Sequence, residues 1–348
     1  MTLTKIKLQP GIQKQTSDLG AAGGYTDCDN IRFRYGLPEK IGGWTKTTTN
    51  TLIGVARDAH HWVALDGTRL AALGTDKKLY IYANDILYDI TPARQTNSSV
   101  SNIFTTANGT PNVTINITGH GANPGDIVTF SGTTGLSGTS FTAEQFDRSF
   151  EIKSITSANA FVIEQDANET TGSATTGTAT AVFDISIAPA FSTFGYGWGT
   201  STWNTETWNT PRSSSSVTLK GGMWSIDNFG ELMIATVLDG STFQWSPTSD
   251  GLTGKASLVT NAPTTTKFSL VSTPDRHLIL FGTEKTVGSG SSQDPLLLRF
   301  SSQEDINTYQ PRATNTAGSL RIQDGSTIVG ADKARGQILV WTDTSLHG

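Results

Sequence analysis

The feature that most constrains this chain is a short alternation of apolar and polar residues, broken by tight-turn residues and repeated along the sequence. Trp62 to Leu65, Leu70 to Leu73, Leu79 to Tyr82 and Ile86 to Ile90 are four such runs. Asp66-Gly67, Asp76-Lys77-Lys78 and Asn84-Asp85 stand between them. A period of two places alternate side chains on one face of a strand, whereas a helix would space them by three and four. Asp-Gly tolerates the positive φ of a hairpin turn, so the region reads as an antiparallel four-stranded meander.

The same grammar returns in Met223 to Ile226, Leu232 to Ala235 and Thr242 to Trp245, joined by Asp227-Asn228-Phe229-Gly230 and Asp239-Gly240. It returns again in Phe268 to Val271, Leu278 to Phe281 and Leu296 to Phe300, and opens once more at Thr327 to Gly330 and Ile338 to Trp341. Repeats of roughly 40 to 60 residues built this way predict the blades of a β-propeller, whose sheets bury one another's faces. A β-sandwich or stacked β-domains is the alternative architecture. Helices should be few, and the eight Trp with 36% apolar residues suffice for a core.

Residues Asn102 to Asp184 differ in character, being rich in Thr and Gly. Runs at Asn112 to Ile117, Asp126 to Phe130, Phe150 to Ile155, Ala160 to Glu164 and Thr178 to Phe183 are spaced like a small β-sandwich or barrel inserted into a propeller loop. The domain plan is therefore an N-terminal extended arm and first strand (1–50), a blade (51–101), the inserted β-domain (102–184), a Gly/Trp-rich loop (185–216) and further blades (217–348). In that loop Trp198, Trp203 and Trp208 are five residues apart, a spacing that neither a strand nor a helix keeps on one face. They either offer flat faces for sugars or a neighbouring subunit, or pin the loop onto the propeller. The last run, Leu346-His347-Gly348, falls where a partner strand begins, and the expectation is that the propeller is completed by residues beyond 348.

The net charge is −5, from 25 basic and 30 acidic side chains without a run of either sign, which argues against tight nucleic-acid binding. The single cysteine, Cys28, can form neither an internal disulfide nor a thiolate zinc site, and fits assembly in a reducing cytoplasm. The first residues lack the apolar core of a signal peptide, and no stretch has the ~20 apolar residues of a membrane helix.

Candidates for catalysis are sparse. His60 and His61 are adjacent and should point to opposite faces of a strand, while His120, His277 and His347 are scattered. Gly288-Ser289-Gly290-Ser291-Ser292 lacks the Lys and helix of a phosphate loop and reads as a flexible loop. A carboxylate pair for glycoside hydrolysis would come from Asp227, Glu231, Asp239 and Asp250, all but Glu231 expected at turns. Asp27-Cys28-Asp29-Asn30 lacks the Gly and distant Glu of a calcium loop. The Asn-x-Ser/Thr triplets at Asn97, Asn108, Asn112, Asn116 and Asn168 are expected by chance in so Thr- and Asn-rich a chain. No catalytic, metal or cofactor residue is assigned.

The N-terminal forty residues carry the most specific signal. Gln9-Pro10-Gly11-Ile12 precedes a polar connector and then Gly24 to Arg34, in which Ile31 and Phe33 alternate with Arg32 and Arg34. A Gly36-Leu37-Pro38 turn should follow. Such an arm has few contacts of its own and packs on another element or chain. The run NIRFRYGLPEKIGGW, preceded by QPGI and followed by LDGTRLAALGTDKKLYIY, resembles the tail nozzle or hub proteins of short-tailed bacteriophages, also called phage stabilisation proteins. ANPGDIVTFSGTTGLSG, FEIKSITSANAFVI, GYGWGTSTWNTETWN and MWSIDNFGELMIA are similar to that family in the same order.

The resemblance implies a non-enzymatic virion protein: a propeller with extra β-domains, assembled as a ring, typically of six copies, beneath the portal and adaptor. Tail adaptor and fibre or spike proteins would be its partners, and DNA would cross the lumen without specific binding. Arg32 and Arg34 become candidates for inter-subunit pairing, or form a solvated strand face. A glycan-binding or glycan-cleaving tail component and a solitary propeller scaffold are the competing readings.

Overall fold

In this computed structural model the described residues are 8–15, 17, 19–43, 45–48, 50–187, 221–273 and 275–348. Trp198, Trp203 and Trp208, with residues 188–220 around them, lie outside these residues.

The chain divides into two units, Met1–Thr49 and Asn50–Gly348. The first unit is built on a hairpin of β1 (Ile31–Arg34) and β2 (Leu37–Lys40), paired antiparallel. Its turn is Tyr35-Gly36, with φ of 51° and 79°. Two left-handed residues match the twist of the flanking strands, so the expected Gly36-Leu37-Pro38 turn is displaced and Leu37-Pro38 lie in β2. Ile31 and Phe33 are half-buried and Arg32 and Arg34 exposed, and the Phe33 ring meets Tyr25 at 5.3 Å.

The second unit opens with a four-stranded antiparallel sheet in chain order: β3 (Ala56–Val63), β4 (Arg69–Thr75), β5 (Leu79–Ala83) and β6 (Ile86–Asp89). Asn84 and Asp85, with φ of 51° and 62°, make the turn that the sequence predicts. The chain then enters a seven-stranded sheet of β7 (Ala93–Thr106), β8 (Asn112–Asn116), β9 (Ile127–Thr134), β10 (Ser149–Glu151), β11 (Ser154–Ser157), β12 (Ala160–Glu164) and β13 (Thr175–Asp184). A one-turn helix, α1 (Ala143–Phe146), lies between β9 and β10. The spatial order is β10-β9-β13-β7-β8-β12-β11. The expected single strand Phe150 to Ile155 is thus two, and they sit at opposite edges with only Ile152-Lys153 between them, so the sheet curls like a partial barrel. Phe104, Phe130, Phe146, Phe161 and Phe183 fill its interior.

Three sheets follow: β14 (Trp224–Phe229), β15 (Leu232–Val237), β16 (Thr242–Trp245) and β17 (Ser257–Leu258); β18 (Phe268–Val271), β19 (Leu278–Phe281), β20 (Leu297–Phe300) and β21 (Gly318–Arg321); then β22 (Ile328–Ala334), β23 (Gln337–Thr342) and β24 (Leu346–His347). Each is an antiparallel meander. With the β3–β6 sheet they form an all-β, propeller-like arrangement of four sheets.

Apolar cores lie between consecutive sheets. Trp62, Leu79, Ile81, Trp224, Met233 and Trp245 belong to the first seam, Ile234, Val271, Leu280 and Tyr309 to the second, and Phe281, Ile322, Ile328 and Val340 to the third. At the first seam the Trp224 indole donates to the Thr75 carbonyl at 2.7 Å and packs against Gly74. A Cβ at Gly74 would stand 2.5 Å from that ring, so β4 and β14 approach this closely only because residue 74 has no side chain.

The joint between the first sheet and the seven-stranded one is polar. Lys78, 1% exposed, places Nζ 2.6 Å from Asp89 Oδ2, 3.0 Å from Asp184 Oδ2 and 3.1 Å from Ser149 Oγ. Lys255 approaches Asp89 Oδ1 at 3.0 Å, and Lys77 donates to the Gly125 carbonyl at 2.7 Å. Burial would raise Asp89, but the Lys78 and Lys255 ammonium groups hold it at about 2. Asp184, buried and near Asp89, is raised despite Lys78. Burial works against the Lys78 charge, but the two carboxylates keep it above its ordinary value.

Candidate functional site

The first strands of the sheets, β3, β14, β18 and β22, are tied to one another by polar side chains. Asp58 Oδ2 on β3 accepts from the backbone N–H of Ile226 on β14 at 2.8 Å. His60 Nε2 donates to Asn228 Oδ1 at 2.8 Å, and the Asn228 amide is fixed by its own donation to the Gly230 carbonyl at 3.0 Å. From β14, Ser225 Oγ donates to the Ser269 carbonyl at 2.8 Å and accepts from its N–H at 3.2 Å. Lys267, just before β18, donates to Thr327 Oγ1, just before β22.

Asp227 is the centre of this set. Its Oδ2 accepts from the Val271 N–H at 2.8 Å and from Lys333 Nζ at 2.7 Å. Its Oδ1 accepts from the Asn228 N–H at 2.9 Å and from Lys333 at 3.0 Å, and stands 3.8 Å from His60 Nε2. One carboxylate therefore bonds β14 to β18 and β22, with His60 of β3 close by. Burial raises the Asp58 carboxyl, with Asp227 nearby adding to the rise against the backbone donors. An acid whose oxygens already accept from N–H groups and an ammonium is suited to holding strands together, more than to moving a proton.

The sequence reading places Asp227 at a turn; the structure corrects this, because β14 runs on to Phe229 and the turn is Gly230-Glu231. An acidic residue inside an alternating run, two residues after Ser225, was the available signal. The other acidic candidates are spread apart in role. Glu231 Oε1 accepts from Leu65 N–H at 2.7 Å, Asp239 from Gln293 Nε2 at 3.1 Å, and Asp250 from Ser246 N–H at 2.8 Å. His60 and His61 do take opposite faces, and His60 stacks on Trp62 with ring centroids 6.0 Å apart. Among the described residues no group of three His, Cys, Asp or Glu is placed to hold a metal ion, and no helix is long and apolar enough to cross a membrane.

The stretch Gly288 to Ser292, read as a flexible loop, is instead hydrogen-bonded. Gly288 N–H and Ser289 N–H donate to Glu284 Oε2 at 2.6 and 3.2 Å, and Gly290–Ser292 forms a 3-10 turn. Glu284 is fully buried and also accepts from the Thr264 and Thr265 N–H groups, both at 2.9 Å. Burial opposes its charge, but the hydroxyl donation from Thr264 together with these backbone bonds outweighs it and lowers the pKa.

In the N-terminal unit, Arg32 and Arg34 differ. Arg32 Nε donates to Glu39 across the hairpin at 3.1 Å, in register with it. Arg34 has no carboxylate partner among the described residues; its guanidinium lies over the Tyr35 ring, 5.4 Å from the centroid. Tyr35 is 91% exposed and Leu37 68%.

Neither a family model nor a curated protein matches this sequence. Among solved structures the chain is similar to one described as a phage phi92 endosialidase, at 14% identity and a TM-score of 0.25; the match covers 87% of this chain and 43% of that chain. This chain thus spans less than half the length of that protein.

Proposed function

We propose that this chain is a structural protein of a bacteriophage tail, and more narrowly the nozzle or hub ring below the portal and adaptor, with no catalytic role. The observation that carries the reading is the commitment of the first-strand polar groups, Asp58, His60, Ser225 and Asp227, to neighbouring strands, an arrangement suited to a stiff wall. The ordered sequence resemblance described above supports the same reading. A conduit gains from weak attraction to its cargo, and a chain of net charge −5 presents little to retain phosphate.

On this reading the copies form a closed ring, hexameric as in the resembled family, that meets adaptor and fibre or spike proteins in the virion after assembly in the host cytoplasm. DNA crosses the lumen without specific contacts. The test is the mass of the native assembly by analytical ultracentrifugation, with and without the neighbouring tail proteins. A ring of several copies, or one formed only on the adaptor, is the expected result. A monomer that joins none of them defeats the proposal, and saturable binding to host polysaccharide by that monomer would favour a glycan-binding tail component.

A further inference from the structure

The polar joint between the first sheet and the seven-stranded one sets a buried amine beside two acids of unlike character. Lys78, in the turn before β5, is 1% exposed, and its Nζ lies 2.6 Å from Asp89 Oδ2 at the end of β6 and 3.0 Å from Asp184 Oδ2 at the end of β13. Ser149 Oγ, itself 2.8 Å from Thr129 Oγ1, holds the amine from a third side at 3.1 Å.

Asp89 is fully engaged. Its Oδ1 accepts from the Thr91 N–H at 2.9 Å, from the Thr91 hydroxyl at 2.6 Å and from Lys255 at 3.0 Å. Asp184 is 1% exposed, and neither of its oxygens makes an aligned hydrogen bond among the described residues, although the Lys78 nitrogen is in contact with one of them. Burial pushes both acids up; Lys78 and Lys255 bring Asp89 down to about 2, whereas Asp184 stays raised. Two acids whose surroundings push them apart divide into a base and a proton-bearing acid. A carboxyl group that carries a proton lacks the charge that repels a nucleophile, and an amine fixed at near-attack distance from it reacts as though at very high concentration.

We propose that Lys78 and Asp184 condense to an amide within the folded chain, with Asp89 as the proton carrier. Nζ gives up two protons, which Asp89 relays to one Asp184 oxygen; the Nζ–Cγ bond forms, that Cγ–O bond breaks and water leaves. Nothing is oxidised or reduced. The Asp89 side chain is 30% exposed, which gives the water a way out. The product removes one positive and one negative charge from a buried site and leaves Asp89 ionised and paired with Lys255, so the joint stays balanced. The ion cluster is then the state of the newly folded chain, and the alkaline sensitivity of an ammonium belongs to that state. The amide ties the first sheet covalently to the seven-stranded one, whatever the copies assemble into.

The test is mass spectrometry of the full chain, folded and held at neutral pH. The expected product is lighter by one water, and digestion should release a branched peptide that contains both Lys78 and Asp184. Asp184→Asn should change the lost fragment from water to ammonia in the same branched peptide, a readout that a merely structural role would not move. Lys78→Met should keep its full mass, and Asp89→Asn should slow the linkage about a hundredfold, a usual loss for a proton carrier. Full mass after prolonged incubation, with the two peptides recovered apart, overturns the proposal. So does a water loss confined to one peptide, the mark of a succinimide at an Asp-Gly pair. Linkage at the wild-type rate in Asp89→Asn overturns the role given to Asp89.

Discussion

The propeller-like sheets and the seven-stranded sheet solve the same burial problem in opposite ways. Each of the four sheets places its apolar residues in a core shared with a neighbour, so Trp245 is buried in a cluster that also holds Trp62 and Leu79 from the first sheet. The seven-stranded sheet curls and encloses its own core around Phe104, Phe130 and Phe146, the first and last of these stacked 3.8 Å apart. One region packs its cores between sheets; the other packs a core within a single sheet and meets the first sheet at the polar joint around Lys78 and Lys77. This difference in packing predicts that stability and orientation are separable for the module and inseparable for the rest.

The strongest way to break this comparison is to empty each core in turn. Trp245→Ala should cost about 5 kcal/mol and Phe104→Ala about 4 kcal/mol, the usual range for buried aromatic truncation. In calorimetry each should lower a different transition: Trp245→Ala that of the propeller-like sheets, Phe104→Ala that of the module. Equal shifts in a single transition would show that the two regions fold as one.

The joint sharpens the contrast. Lys78→Met leaves Asp89 and Asp184 buried around an apolar side chain, and removing one partner from a buried ion cluster costs about 3 kcal/mol. The expected effect is local: faster hydrogen exchange at β5, β6 and the end of β13, with the Phe-lined core of the module still protected. The pH dependence has a definite sign. The Lys78 pKa is raised on folding, so its contribution is complete below its ordinary value of 10.5 and is lost as pH rises through the folded value. Alkaline titration should loosen the joint before either core.

Asp227 tests the shared side of the comparison. Asp227→Ala strands the Val271 N–H and Lys333 and should cost about 2 kcal/mol. Because the carboxylate ties β14 to β18 and β22, exchange should rise in all three together. A rise in β14 alone would reduce Asp227 to a local partner.

Much of the propeller was legible because its strands alternate cleanly; β18 and β19 occupy the very residues that the pattern marks. β7 was not, since Ala93–Thr106 is largely polar and its pairing with β13 shifts register near Ser99 and Asn102, both at positive φ. Bulges break the period on which pattern reading depends. The Phe150 to Ile155 run misled for a related reason: Ile152-Lys153 is a corner between the two edges of a curled sheet, which local alternation does not register. Asp227 was hidden by its company, because Asp-Asn-Phe-Gly has turn composition while tertiary contacts keep it in a strand. For the site residues, the Arg32–Glu39 pair follows from hairpin register once the turn is placed at Tyr35-Gly36. Nothing in the local sequence distinguishes Arg34 from Arg32 until that turn is known.

The smallest effect concerns a carboxylate wholly inside the module. Glu169, 1% exposed, accepts from the N–H groups of Ser140, Thr170 and Thr171 at 2.8, 2.9 and 2.8 Å and from the Thr139 hydroxyl. Burial opposes its charge, but the Thr139 and Ser140 side chains and these backbone donors hold it at about 2, against an ordinary 4.5. A depressed folded pKa gives stability that is present above 4.5 and lost as pH falls through about 2. Glu169→Gln keeps the shape but not the charge and should cost about 1–2 kcal/mol at neutral pH. Asp89 titrates in the same acid window, so wild type alone cannot separate them. The gap between wild type and Glu169→Gln should close between pH 4.5 and about 2 in the module's transition and be absent throughout from that of the propeller-like sheets. A gap of equal size in both transitions would mean that the module's core reports on the whole chain, against the independence that its enclosed sheet implies.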